Sequence, residues 1–433
     1  TLAQLKEANG QYQEAEEDYK EAIGQYQVVL GEDHPDTLFA RESLGLVYQK
    51  QGRFEDAKAV LEAVYDKRKE VLGAEHPETL FTLGSLAEVY HKLGDYDQAE
   101  QFYLSTLDLL MKTVGNDNPD FYHFAAKLAQ LYQDQGRYSK AETLFRGVYD
   151  YDKASLGEKH PNTIVDLNNL AGVYRLQGRY ALAEETYKKS LSLVKEVLGE
   201  KHPETISIMN NLALVFENQG LYDQAAPLYQ TASKYAEEVL GESHPTTLAL
   251  MNNLASLYES QGVFDRSEPL YNKTIQLNTE VYGADHPNTM AAVNNLGYLY
   301  LIQKEYDQAE PKFKQVYDAW QTQLGERHQK TLKAMNNLAR VQHWQGKTNE
   351  AETLFTDALR LRKEVLGENH PDAIRSMIDL SALYITQKKY KAAEELLLKT
   401  VEIAEKNLGE KHPYTFEAIN NLADAYEQSG QKD

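Results

Sequence analysis

The residues best equipped for chemistry recur at a fixed interval. Asparagine pairs stand at 168/169, 210/211, 252/253, 294/295, 336/337 and 420/421, separated by 42 residues or twice that. A carboxamide offers two donors and one acceptor, enough to hold the backbone of an extended ligand. Asparagine is also a poor helix former, so consecutive pairs within a helical pattern call for a tertiary partner. Two partners suit them: a bound peptide, or the asparagines of the next repeat. Histidines at 34, 76, 160, 202, 244, 286, 328, 370 and 412 keep the same interval. A shared metal would need several ligands within about 2 Å of it, whereas packed helices lie roughly 8 to 10 Å apart. Each histidine is therefore expected to fix its own loop by hydrogen bonds, with no metal site. The chain has no cysteine, which excludes disulfides, thiolate sites and a cysteine nucleophile. No Ser/His/Asp set recurs and no phosphate-binding glycine loop is present, so neither an enzyme nor a cofactor is expected.

The elements that carry these residues can be read from the same period. Glycine occurs at 31, 73, 115, 157, 199, 241, 283, 325, 367 and 409. It opens a Gly-x-x-His-Pro punctuation, altered only by Asn118 before Pro119 and by Gln329 after His328. Each repeat then shows two helical segments. The first carries a leucine (Leu44, Leu86, Leu128 and onward to Leu422), a small neighbour, and an aromatic four residues later, with Gln342 the exception. It ends at a glycine able to take left-handed geometry, replaced by Lys304 and Lys388 in two repeats. The second segment begins near an aromatic, with Asp97, Asp223, Asp265 and Asp307 read as its N-caps. An alanine column and an aromatic or leucine four residues on mark its buried face. Prolines 227, 269 and 311 fall early in this second segment and are not expected to break it.

With 433 residues, 42% of them hydrophobic and 30 of them tyrosine, the chain exceeds one ordinary core and reads as a single array over 1–433. Its units restart near 36, 78, 120, 162, 204, 246, 288, 330, 372 and 414. The formal charge of −21 argues against nucleic acid and anionic membranes and favours neutral or basic protein partners. No membrane span or signal peptide is apparent, and a cytoplasmic location is the default. The first residue is not Met and falls inside a repeat, as expected of a fragment of a longer protein.

The order Leu-small-x-x-Tyr, Gly-x-Tyr, Ala-x-x-x-Tyr/Phe resembles the tetratricopeptide repeat. The 42-residue length, the Leu-Gly-x-x-His-Pro punctuation and the Asn-Asn-Leu-Ala at 168 to 171 resemble its kinesin-light-chain-like subtype. The resemblance implies an all-α, right-handed superhelical solenoid of about ten antiparallel helix pairs, with first helices lining a concave groove. It also implies a scaffold or adaptor that binds an extended peptide, through asparagine nine residues before the loop glycine: Asn169, Asn211, Asn253, Asn295 and Asn337. Arg175, Glu217, Asn218, Glu259, Tyr298, Lys333, Arg340, His343 and Trp344 are expected to face inward. The last four make a basic and aromatic spot beside the irregular Gln342 and Thr348. Two other roles fit the pattern: the sensor array of a larger nucleotide-binding switch protein, and a rod that self-associates end to end.

Overall fold

The computed structural model describes residues 2–8, 10–115, 117–410 and 412–430, and all regular elements among them are helices. The chain divides into two compact units. The first, Thr1–Ser155, holds α1 (Leu2–Ala8), α2 (Tyr12–Val29), α3 (Pro35–Lys50), α4 (Phe54–Val71), α5 (Pro77–Leu93), α6 (Tyr96–Thr113), α7 (Pro119–Asp134) and α8 (Tyr138–Ser155). The second, Leu156–Asp433, holds α9 (Pro161–Leu176), α10 (Tyr180–Leu198), α11 (Pro203–Asn218), α12 (Tyr222–Leu240), α13 (Pro245–Ser260), α14 (Phe264–Tyr282) and α15 (Pro287–Ile302). It continues with α16 (Tyr306–Leu324), α17 (Gln329–Trp344), α18 (Thr348–Leu366), α19 (Pro371–Thr386), α20 (Tyr390–Leu408) and α21 (Pro413–Ser429). Within each unit every helix packs on its neighbours in sequence, and odd-numbered helices also touch one another.

Local chemistry sets where these helices start. All nine repeat histidines are N-caps, each Nδ1 accepting the backbone N–H two residues on at 3.0–3.3 Å. This is the loop-fixing role expected of them. Asn118 does the same through Oδ1, from Asp120 at 2.7 Å. Proline follows at the first helical position, where its missing N–H is not needed, in all of these helices but α17, which starts with Gln329. A threonine column adds a second tie: Thr37, Thr205, Thr247, Thr289 and Thr415 donate to the loop glycine carbonyl at 2.7–2.9 Å.

The turn between paired helices corrects one expectation. Asp97, Asp223, Asp265 and Asp307 are not N-caps, because α6, α12, α14 and α16 start at the preceding aromatic; the N-cap position falls to Asp95, Leu221, Val263 and Glu305, of which only the Asp95 side chain accepts a capping hydrogen bond. The cause is a shared residue. After the left-handed glycine, the next N–H bonds back to the aromatic carbonyl of the first helix, as Arg53 does to Tyr48 at 2.9 Å and Val263 to Tyr258 at 2.8 Å. That residue ends one helix and caps the next. The aspartates fall in the first turn instead, where the helix dipole favours negative charge. Lys304 and Lys388 adopt the left-handed conformation themselves, at φ of 64° and 61°. Helices α12, α14 and α16 run unbroken through Pro227, Pro269 and Pro311.

The core follows the two columns. The leucines from Leu44 to Leu380 are buried, as is every alanine of the second-helix column; Ser267 replaces one of them and donates to the Ala255 carbonyl at 2.8 Å. In the first unit, α4 contributes a buried ion pair, Arg68 to Glu42 at 2.8 Å. There too, a Cβ on Gly84 would lie 1.9 Å from the Phe124 ring, so only glycine lets α5 and α7 pack as they do.

Candidate peptide-binding face

The asparagine pairs of the second unit meet across its odd-numbered helices. Asn337 on α17 donates to Asn294 on α15 at 2.9 Å, Asn294 to Asn295 at 3.5 Å, and Asn295 to Asn252 on α13 at 3.2 Å. A second relay starts beside it: Asn253 to Asn210 on α11 at 2.7 Å, Asn210 to Asn211 at 3.3 Å, and Asn211 to Asn168 on α9 at 3.0 Å. Asn336 extends the line to Asp379 on α19 at 2.6 Å. The amides therefore partner one another, which answers the helix-propensity penalty. Asn169, Asn211, Asn253 and Asn295 remain half-buried, whereas Asn337 is buried. Asn169 occupies the same position in α9.

Five of the expected residues converge further along. Asn295, Asn337, Tyr298, Lys333 and Arg340 line one cavity of about 660 Å³ together with Asn294, Gln329, Lys330, Asn336, Arg362, Asp372, Arg375 and Tyr414. The Arg340 guanidinium lies 5.6 Å from the Tyr298 ring centre and 3.9 Å from Asp379. Arg375 is committed to two carboxylates, Asp379 at 2.7 Å and Glu417 at 2.6 Å. Burial pulls the Arg362 pKa below its ordinary value. Burial alone would raise the Asp372 carboxyl, but Arg362 foremost holds it below the usual range. Gln329, which departs from the proline of other repeats, donates to Asp372 at 3.0 Å. Sequence reasoning missed Arg362, Arg375 and Tyr414 because they lie on α18, α19 and α21, outside the asparagine register.

His343 and Trp344 do not join this cavity. The single basic and aromatic spot expected of Lys333, Arg340, His343 and Trp344 is thus two places, because His343 and Trp344 sit at the C-terminal end of α17, beyond the stretch that lines the cavity. His343 pairs with Thr386 at 3.0 Å. Trp344 is 57% exposed and lines a separate depression with Lys304, Tyr306, Glu310 and Lys347.

At the other end stand Arg175, Glu217 and Glu259, one per first helix. Arg175 hydrogen-bonds the Tyr187 hydroxyl, whose pKa burial pushes up to about 12 against that contact. Glu217 accepts from Tyr229 at 2.8 Å and from Ser256 at 3.3 Å; Glu259 accepts from Tyr271 at 3.1 Å. Burial, with the neighbouring Glu217 charge, pushes the Glu259 carboxyl up to about 7. Asn218 is exposed at the end of α11.

Fold and face together define a helical-repeat array with a polar line drawn along its first helices. The tetratricopeptide repeat family model matches residues 1–70, 42–112, 122–196, 165–238, 204–277, 246–322, 289–364, 330–406 and 385–433. The chain belongs to the tetratricopeptide repeat family. Among solved structures, it is similar to a putative kinesin light chain from Podosopora anserina with nearly identical TPR-like repeats, at 23% identity, covering 47% of this chain and 97% of that one, TM-score 0.41. It is also similar to BtubC (BKLC) from P. vanneervenii, at 23% identity over 54% of this chain and 92% of the other, TM-score 0.41. A Rap protein complexed with competence and sporulation factor aligns at 12% identity over 82% of this chain and all of that one, TM-score 0.49. No curated protein matches the chain. No helix among the described residues is long and apolar enough to cross a membrane.

Proposed function

We propose that the chain is a non-enzymatic interaction scaffold that binds an extended peptide segment along the first helices of its second unit, between residues 165 and 345. The observation that carries this reading is the asparagine line. It spans five first helices and spends only part of its hydrogen-bonding capacity on itself, since each amide has two donors and an acceptor with two lone pairs. Half-buried amides held rigid by one another are well suited to meet a backbone, because little entropy is lost when the guest arrives.

The test uses 12-residue peptides selected by display on the full chain and measured by calorimetry. Asn211→Ala with Asn253→Ala is expected to weaken the selected peptides at least tenfold, while circular dichroism still reports a helical protein. Unchanged affinity in a folded double variant would exclude the groove. A second reading, self-association through α21, draws support from exposed Phe416 and Ile419 on that helix.

A further inference from the structure

The internal repeat supplies its own control for the cavity. Arg68 on α4 and Arg362 on α18 hold the same register, seven periods of 42 residues apart. Both are almost completely buried, at 1% and 2% exposure. Both make the same local bonds: Arg68 to the Glu78 carbonyl at 3.2 Å and Thr82 Oγ1 at 2.7 Å, Arg362 to the Asp372 carbonyl at 2.9 Å and Ser376 Oγ at 2.6 Å. In neither does Nε find a protein partner. They part in their carboxylates: the Glu78 carboxylate also lies 3.5 Å from Arg68, whereas the shorter Asp372 holds that place beside Arg362. Arg68 meets the buried carboxylate of Glu42 at 2.8 Å, and the residue in Glu42's place beside Arg362 is Asn336. That amide is neutral and already engaged, donating to Asp379 at 2.6 Å and accepting from Ser376 at 3.1 Å. Asp372 and Asp379 still act on Arg362 through their charge, but neither makes the direct ion pair that Glu42 makes with Arg68. A buried cation without a directly paired carboxylate favours a further anion beside it.

The space beside Arg362 is open, and further cations border it. Lys333 is exposed and, among the described residues, has no carboxylate within ion-pair distance; Arg340 has only Asp379, which Arg375 already holds in a closer bond. Lys330 and Arg375 complete a lining of five cations, against which Asp372 is the one lining carboxylate. In a chain of formal charge −21, this is a local reversal of sign. Guanidinium forks suit tetrahedral or planar oxyanions alike, but a singly charged group would leave Lys333 and Arg340 only half answered.

We propose that this cavity binds a doubly charged oxyanion, a phosphate monoester on a side chain of the bound segment. The peptide reading above supplies the carrier; the anion site itself does not depend on it. A neutral or basic partner, expected from overall charge, would then carry one strongly anionic group at this point.

The experiment is calorimetric titration of the full chain with inorganic phosphate and with O-phospho-L-serine, and glutarate as the dicarboxylate control. One saturable site is expected, weakened at least tenfold by Arg340→Gln or by Lys333→Gln. Asn336→Glu restores the internal carboxylate found at Glu42 and is expected to abolish phosphate binding while the protein keeps its helical content and melting midpoint. Should the longer side chain disrupt packing, Asn336→Asp makes the same test in less space. Absence of saturable phosphate binding, or full binding by a folded Asn336 variant, overturns the proposal, and glutarate binding as tightly as phosphate overturns the phosphoryl assignment. The Asn211→Ala, Asn253→Ala variant separates the two readings: it should lose selected peptides and retain phosphate, whereas peptide capture without phosphate binding sinks the anion site alone.

Discussion

Glu259 shows how far a single side chain can depart from its ordinary behaviour when a repeat stacks on its neighbour. Its carboxyl is pushed up to about 7 by burial and by Glu217, against the hydrogen bond from Tyr271. A carboxyl raised in the folded state favours folding below its unfolded pKa of about 4.5, and that contribution is lost as pH rises toward 7. Glu259→Gln keeps an acceptor for Tyr271 and removes the charge. It is therefore expected to stabilise the protein by about 1 to 3 kcal/mol at pH 8, with the gain shrinking toward pH 5 in paired urea titrations. A gain independent of pH would mean that the charge is already solvated. At this scale the sequence was partly legible: Glu217 and Glu259 were expected to face inward from their register, and both are half-buried. The burial that alters them did not, because it depends on the tyrosines of α12 and α14. Likewise the asparagines were readable as residues needing a partner, but not which partner each amide takes.

At the level of the helix, start signals were the most legible feature. Histidine before proline marked all but two of the first helices from α3 to α21, and the caps are where that spacing put them. The second helices were harder, because one residue after the glycine serves two elements and moves the cap away from the aspartate that looks suited to it. The histidine caps also carry a cost in acid. Burial, with Lys330, pulls the His286 pKa down to about 4 from 6.5, and its Nδ1 must stay unprotonated to accept from Asn288. A depressed histidine contributes stability above its unfolded pKa that is lost as pH falls from 6.5 toward 4. His286→Asn, the exchange already present at Asn118, preserves the cap and cannot titrate. Its expected signature is near-neutrality at pH 8 and a relative gain of about 1 to 2 kcal/mol at pH 5, read from thermal melts at the two pH values; equal effects at both would show that the cap tolerates protonation.

Across the chain, ten recurrences of one pattern made the architecture readable where a single helix pair would have been ambiguous. Each pair leaves an apolar stripe that only a neighbour can cover. On α21, Phe416 is 54% and Ile419 39% exposed. If that surface drives association of two copies, light scattering should show a mass that rises with concentration, and Phe416→Ser with Ile419→Ser should hold the protein monomeric. A wild-type monomer at every concentration would dismiss the rod. What the period could not convey was difference between copies. In the cavity around Arg362, Asn336 stands in the register of Glu42, a departure whose meaning depends on the buried arginine that each residue meets or fails to meet in space.

The amide line is also a ruler. Its rungs are set by the separation of packed helices, about 8 to 10 Å. A polyproline II strand completes one turn every three residues at about 3.1 Å each, nearly the same distance, so every third residue returns to the same rung with the same face. A β-strand shows opposite faces after three residues and falls out of step. A peptide held as proposed would therefore keep step with the ladder best as the threefold, left-handed backbone of a proline-rich segment, through geometry set by its host's own helix diameter.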